Sequence, residues 1–493
     1  MPEMRTAGAA LALLVVCVQQ TQVPLASSSA AGVGGHPSAP RPRLPVLPRF
    51  ERDRADRKVL FVDNGMFANL SGDIGLRRHR PSPAGQVVLR PTEPWESFGL
   101  IAYHTVVQVG PEDYRMYYDT GWTMENRDDF HRYTCLATST DGVVWVKPNL
   151  GLATFNGSKA NNIVWPLDWR DNTHAAGTVF YDTNPAAPAD AKWKMLAEWD
   201  IDGANATSKV HRGVYIMKSP DGIAFQSMFD RASLAHSDTK NVMWWEQSLN
   251  KYVAYIRLDV ADHSAVHPKG TQCAISPGPT RRIGRCVIDT EQLHDWNAAG
   301  CNCEGTGSAV VDVLSFSEED PSCLDIYTNS ATEYEREGGE ESGAILFFPS
   351  AYQHMTLKSS KSNDGLVDIR FATARHVLDN CSYPPTRDGR ATYVPLGINS
   401  CPTLTMAPRT TPRFDWCSND AGDLGASAID TGTKYMASGY LLSSDGAEVM
   451  LYSGGEPQSH GGGGTAVQNG VGTVGSVSPH SGAQAKAITI SSC

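Results

Sequence analysis

One phrase returns five times along this chain and constrains its fold more than any other feature. It is a short aromatic-rich segment that follows a stretch of small and β-branched residues. The copies are Tyr114-Arg-Met-Tyr-Tyr-Asp-Thr120, Lys192-Trp-Lys-Met-Leu-Ala-Glu-Trp199, Lys251-Tyr-Val-Ala-Tyr-Ile-Arg257, Ala344-Ile-Leu-Phe-Phe-Pro-Ser350 and Glu448-Val-Met-Leu-Tyr-Ser-Gly454. Each follows a candidate inner strand: 103–108, 175–180, 239–243, 327–331 and 433–438. Asp-Gly turns at 141–142, 221–222 and 445–446 are hairpin signals, glycine supplying the positive φ. Hairpin units repeated at roughly 60–100 residues cannot bury their own faces and must stack on neighbours. The reading is an all-β, five-bladed β-propeller with a central channel and disordered termini. Small inner-strand residues suit a crowded channel, and aromatic bulk fills the space between sheets. One segment, 292–299, has the look of a short helix in an outer connection.

The rest of the chain divides by composition. The apolar run Ala7–Val18 follows Arg5 and is too short to span a bilayer, so 1–30 reads as a signal peptide. Residues 31–57 are rich in Pro, Gly and Ser and read as disordered, 58–460 as the propeller, and 461–493 as a disordered Gly/Ser-rich tail. The formal net charge of −11, without basic runs, argues against nucleic acid and against an anionic membrane surface. Of the eleven cysteines Cys17 would leave with the signal, and the even remainder favours disulfides in a secreted protein. Cys273, Cys286, Cys301, Cys303 and Cys323 share one insertion and are expected to staple it. Asn69, Asn156, Asn205 and Asn380 begin N-x-S/T sequons, the mark of a glycosylated secreted chain.

Polar residues at or before the inner strands would line the channel mouth. Carboxylates gathered from different blades can hydrolyse a glycosidic bond, one protonated as acid and one ionised as nucleophile or base. Glu96, Asp171 and Asp238 are the expected catalytic residues. Asp63, His104, Arg170, His174, Asn241, Asp325, Tyr327, Asn329 and Asp430 are the expected substrate-binding residues. Trp95, Trp169 and Trp244 could offer flat faces to sugar rings. The expected partner is a carbohydrate substrate. No spacing demands a metal, and no cofactor is expected.

Leu60-Phe-Val-Asp63, Pro94-Trp-Glu96, Tyr114-Arg-Met-Tyr-Tyr118, Ala137-Thr-Ser-Thr-Asp-Gly-Val-Val-Trp145, Lys147-Pro-Asn-Leu-Gly-Leu152, Gly157-Ser-Lys-Ala-Asn-Asn-Ile163 and Tyr452-Ser-Gly-Gly455 together resemble a known group. It comprises secreted proteins similar to the N-terminal domain of glycoside hydrolase family 32, within the wider assembly of invertases, levansucrases and arabinanases. The resemblance covers about residues 58–460. It implies a five-bladed propeller and glycosidase chemistry on an oligo- or polysaccharide. Arg170-Asp171-Asn172 is similar to the Arg-Asp-Pro motif of that assembly, which implies that Asp171 positions the sugar and stabilises the transition state. The Asn-Asp-Pro and Glu-Cys motifs are not present, so Asp63 or Glu96 would substitute for the first, and Glu333 is the Glu nearest the fourth inner strand. Two other readings stand beside the glycosidase: a noncatalytic carbohydrate-binding propeller, and a sialidase-like propeller prompted by Ser139-Thr-Asp-Gly142 and Ser219-Pro-Asp-Gly222.

Overall fold

The computed structural model describes residues 86–97, 102–110, 112–123, 130–167, 177–200, 212–235, 237–238, 240–260, 280–314, 320, 324–334, 344–354, 365–383, 393, 433–442, 448–456, 460 and 484–491. Strand β1 (Gln86–Leu89) precedes the first repeat. The first sheet runs β2 (Ala102–Gly110), β3 (Asp113–Thr123), β4 (Phe130–Ser139) and β5 (Ile163–Trp165) in spatial order. The second holds β6 (Thr178–Tyr181), β7 (Trp193–Asp200) and β8 (Arg212–Ser219), with β9 (Gln226–Ser227) and β10 (Leu234–Ala235) both on β8. The third is β11 (Val242–Glu246), β12 (Lys251–Val260), β13 (Thr280–Ile288) and β14 (Val311–Leu314). The last contains β15 (Leu324–Tyr334), β16 (Ala344–His354), β17 (Gly365–Ile369), β18 (Ala372–Ala374), β19 (Thr433–Met436), β20 (Leu441–Leu442), β21 (Glu448–Glu456) and β22 (Gln484–Ser491), and β1 joins it through β22.

The innermost strands form a closed round, β2 touching β6, then β11, β15, β19 and β2 again. The chain is thus an all-β propeller whose five repeats each give one inner strand. Among the described residues hydrogen bonding nevertheless yields four sheets, not five separate blades. The fourth and fifth repeats are fused where β17 pairs in parallel with β19 at Val367 and Thr433. The aromatic phrases occupy the second strand of each repeat, β3, β7, β12, β16 and β21.

Alternation along those second strands builds the core. Successive side chains point to opposite faces, so each strand serves two neighbours. On β3, Met116 and Tyr118 pack against Met450 and Tyr452 of the last sheet, while Tyr117 faces Val179 and Met195 of the second. On β12, Tyr252, Ala254 and Ile256 meet Leu196 and Ile216, while Val253 and Tyr255 meet Ile345 and Phe347. Tyr255 meets Phe347 edge-on, centroids 4.9 Å apart. Each such buried side chain contributes roughly 1.5–3 kcal/mol through the apolar area removed from water.

The Asp-Gly turns at 141 and 221 are latches between sheets. Asp141 Oδ1 accepts from the Val143 and Val144 amides, and Asp221 Oδ1 from those of Ile223 and Ala224. Gly142, at φ +76°, turns its carbonyl to the Tyr452 hydroxyl, 2.8 Å away, and Gly222 does the same for Tyr117 at 2.7 Å. These hydrogen bonds give the Ser-x-Asp-Gly phrase a structural use.

Two expectations are corrected. The tail is not wholly outside the fold: β22 pairs antiparallel with β21 from Glu448↔Ser491 to Gly455↔Gln484, and β1 pairs with β22. Backbone pairing needs no large side chain, which is why composition misses it. Residues 292–299 are not an α-helix: a 3₁₀ turn, Thr290–Gln292, gives way to turns. Trp296, fully buried, draws the segment onto the second and third sheets. Cys286 and Cys301 form a disulfide within this insertion, while Cys135, Cys303 and Cys381 carry free thiols. Among the described residues no helix is long and apolar enough to cross a membrane.

Candidate active site at the channel mouth

Two irregularities in the inner strands aim side chains at the centre. Between Ile326↔Ala351 and Thr328↔Ser350 the register shifts, leaving Tyr327 as the extra residue of a bulge. A second shift, between Ala102↔Asp119 and Thr105↔Tyr117, falls at Tyr103 and His104, and Tyr103 adopts φ +49°. Bulges of this kind re-aim side chains, commonly beside functional sites. Tyr103, Tyr327, Tyr352 and Tyr435 come together as a result. The Tyr103–Tyr435 and Tyr327–Tyr352 centroids lie 5.0 and 5.6 Å apart. Burial, then the Tyr327 and Tyr435 hydroxyls, hold the Tyr103 phenol well above its ordinary range.

Three arginines cover this cluster, Arg132 over Tyr103 and Arg257 and Arg281 over Tyr327. The Arg257 and Arg281 guanidinium carbons lie 5.3 and 5.4 Å from the Tyr327 ring centroid, in cation–π range. Both come from the third sheet, where Arg281 of β13 stands directly across from Asp259 of β12. Arg257 sits two residues before Asp259 and so on the same face. From Arg257, Nη2 donates to Asp238 Oδ2 at 2.7 Å and to Asp259 Oδ2 at 3.3 Å. From Arg281, Nη1 donates to Asp325 Oδ2 at 3.0 Å, and the same oxygen is 2.7 Å from His354 Nε2. Charges of opposite sign therefore alternate from Asp238 to Asp325, whose Oδ2 also meets His354. Burial alone would lower the Arg257 pKa, but Asp238 and Asp259 hold it raised.

Exposure divides the set by use. The Arg257, Asp325 and His354 side chains are buried, whereas those of Asp238 and Asp259 are 28% and 24% exposed. Asp238 and Asp259 are therefore the acids within reach of a ligand. Asn241 braces Asp238 and Arg257: its Oδ1 accepts the Arg257 amide at 3.0 Å, and its Nδ2 donates to the Asp238 carbonyl at 2.7 Å.

The structure thus brings together Asp238, Asn241, Asp325 and Tyr327. Asn329 is buried on β15, and His104 is buried on β2, its ring nitrogens without partners among the described residues. Asp63, Arg170, Asp171, His174 and Asp430 lie outside the described residues, as do Trp169, Asn69 and Asn205. Asn156 and Asn380 are exposed, whereas Glu333 is exposed on β15 beyond Asn329.

Glu96 is placed differently from the expectation. It ends a 3₁₀ turn, Pro94–Glu96, with its side chain fully buried. Its Oε2 accepts the Thr92 and Glu93 amides at 2.8 and 3.0 Å and meets Lys147 Nζ at 2.5 Å. Its Oε1 accepts the Tyr118 hydroxyl at 2.6 Å. Both oxygens are occupied within the first sheet and its approach, and no partner is shared with the Asp238–Arg257 set. Trp95 is likewise used internally, its indole N–H donating to Asn162 and its ring meeting Phe155 edge-on. Trp244 packs against Tyr255.

Asp259, Arg281, Tyr352 and His354 escape the sequence reading, and Arg257 enters it only as an arginine for a sugar carboxylate in the sialidase-like alternative. The signal was present in Arg257-Leu-Asp259, a charged pair at i, i+2 ending an aromatic strand. Among the described residues no group of three or more His, Cys, Asp or Glu is arranged to hold a metal.

No family model and no curated protein sequence matches this chain. Solved structures do. One described as a glycoside hydrolase shares 10% identity, covering 83% of this chain and 92% of its own, with a TM-score of 0.43. An N-acetylgalactosamine deacetylase from F. plautii, in complex with blood group B trisaccharide, shares 10% identity over 84% of this chain and 95% of its own, TM-score 0.43. Exo-inulinase from Aspergillus awamori shares 10% identity over 83% of this chain and 63% of its own, TM-score 0.39. Likeness at this level concerns the path of the chain and leaves its chemistry to the site.

Proposed function

We propose that this protein is a secreted glycoside hydrolase acting on an oligo- or polysaccharide at the channel mouth. The observation that carries the reading is the partly exposed Asp238–Arg257–Asp259 group above the buried tyrosine cluster. Asp238, held by a guanidinium, suits the ionised role of nucleophile or base. Asp171 is the second carboxylate of the proposal, placed by the likeness of Arg170-Asp171 to a sugar-positioning motif. Asp259 fixes Arg257 from the opposite side, and Asn241 braces Asp238 and Arg257. Secretion and glycosylation belong to the same proposal: the exposed sequons at Asn156 and Asn380 and the Cys286–Cys301 disulfide are consistent with an oxidising route.

A second reading has its own support. Each described carboxylate at the mouth, Asp238, Asp259 and Asp325, is ion-paired to an arginine, an arrangement that suits binding sugar hydroxyls without donating a proton. A noncatalytic carbohydrate-binding propeller would look like this. One experiment decides: purified full-length protein against a panel of glycans, read by released reducing ends and by sugar binding. A hydrolase loses turnover by orders of magnitude in Asp238→Asn and Asp171→Asn while still folding. A binding module releases no reducing ends from any glycan, and Asp238→Asn weakens its retention of sugar. Full activity in both variants would place the chemistry elsewhere.

A further inference from the structure

The ring of inner strands encloses a positive charge that the proposed site does not use. Lys240 lies just ahead of β11, 3% exposed, at the left-handed φ of +61°. Its amine donates to the His104 carbonyl at 2.5 Å. Among the described residues it has no other partner, and no carboxylate forms an ion pair with it. His104, on the bulge of β2, is wholly buried, and neither ring nitrogen has a partner among the described residues. The chain therefore brings the Lys240 amine to the main chain of His104, from the third and first repeats, and among the described residues no carboxylate supplies a countercharge. Backbone at both places is held in an unfavourable region, Tyr103 at φ +49° beside His104 and Lys240 itself. Strain of this kind persists where surrounding structure enforces it, often around a bound group.

Lysine offers donors only, and an imidazole can offer an N–H. A metal cation would meet the ammonium's repulsion, whereas an anion would supply the missing charge. Both residues are at most 3% exposed, which rules against a sugar or an organic acid. We propose that a small inorganic anion of the halide class binds between the Lys240 ammonium and the His104 ring, inside the round of inner strands. With nothing bound, burial pushes the Lys240 amine well below its ordinary range. Burial, and then the Lys240 charge, push His104 down to about 3. A bound anion opposes both effects by favouring the charged forms. Thr178 and Asn329, on the second and fourth inner strands, carry further buried polar groups without partners among the described residues.

The test is thermal unfolding of the full chain in sodium gluconate, chloride and bromide at matched ionic strength. A ligand that binds only the folded state raises the melting temperature in a saturable way. The expected result is a rise of about 3 °C in chloride and bromide over gluconate. Lys240→Met, close in volume and uncharged, should abolish the halide-specific rise and melt in gluconate at or above the wild-type temperature. Identical wild-type melting in the three salts, or a halide rise that survives in Lys240→Met, overturns the proposal. Should Lys240→Met fail to fold, chloride NMR on the wild type replaces it: excess line broadening displaced by bromide is expected, and its absence overturns the site. Neither readout depends on hydrolysis, so the proposed activity can fail while this site stands.

Discussion

Replacing Glu96 with glutamine asks whether this carboxylate holds the fold or does chemistry. The side chain is fully buried and accepts two backbone amides, the Tyr118 hydroxyl and Lys147 Nζ. Glutamine keeps the length but has one acceptor oxygen, so its NH₂ must face donors: the Thr92 and Glu93 amides with Lys147, or the Tyr118 hydroxyl. Breaking a buried pair by changing one partner costs ~3–5 kcal/mol when the other charge is stranded. The Lys147 side chain is 12% exposed and can turn part of its ammonium to water. The expected loss is therefore nearer ~2–3 kcal/mol. For a ring of this size that lowers the melting temperature by roughly 2–4 °C. The assay is calorimetry beside turnover on any glycan found in the panel, read well below the melting temperature. Lowered stability with turnover retained is expected. Unchanged stability with turnover abolished would refute the structural role and return Glu96 to catalysis.

Other changes test the architecture. Tyr452→Phe removes the hydroxyl that reaches the Gly142 carbonyl and should cost ~1 kcal/mol. Tyr117→Phe should cost the same at Gly222, and the two should add, because they latch different pairs of sheets; chemical denaturation measures both. Gly142→Ala should be worse than either, since a Cβ there would stand 2.7 Å from the Tyr452 hydroxyl on a backbone at φ +76°. Cys301→Ser opens a loop of 15 residues and should cost about 3 kcal/mol, seen as a lowered denaturant midpoint. Truncation after residue 460 removes β22 and should yield a protein that unfolds at markedly lower denaturant, whereas a dispensable tail would leave the midpoint unchanged.

The repeats were legible because burial on both faces of a second strand leaves a strong mark: adjacent aromatic and aliphatic residues in place of strict alternation with polar ones. Tyr114–Thr120 and Lys251–Arg257 sit where that mark predicts, in β3 and β12. Asp238, Asp325 and Tyr327 were legible because polar residues at inner-strand starts have little else to do in such a fold. The basic half of the site was not. Arg257 lies near the end of a second strand and Arg281 at the start of a third, and only the register that sets Arg281 across from Asp259 brings them to the centre. That register is a long-range fact, spread over segments far apart in sequence. Glu96 was misread for a local reason: Glu93-Pro94-Trp95-Glu96 is also a capping pattern, with proline in the first turn and an acid three residues on. The fused sheet was hidden too, because one parallel pair at Val367 and Thr433 leaves no periodic trace.

The pairing of β1 with β22 has a consequence for how the molecule is made. Synthesis delivers β1 before any repeat exists and its partner only after all of them. Until then β21 presents an unpaired edge, a template on which another chain could dock. Closure of this sheet thus waits for β22 even if each hairpin folds as it emerges. A circular permutant with β22 fused ahead of β1 would give the nascent chain its closing hairpin first, at the cost of leaving β21 to find it. Comparing the refolding yields of the two forms would show how far the native order relies on protection during that interval.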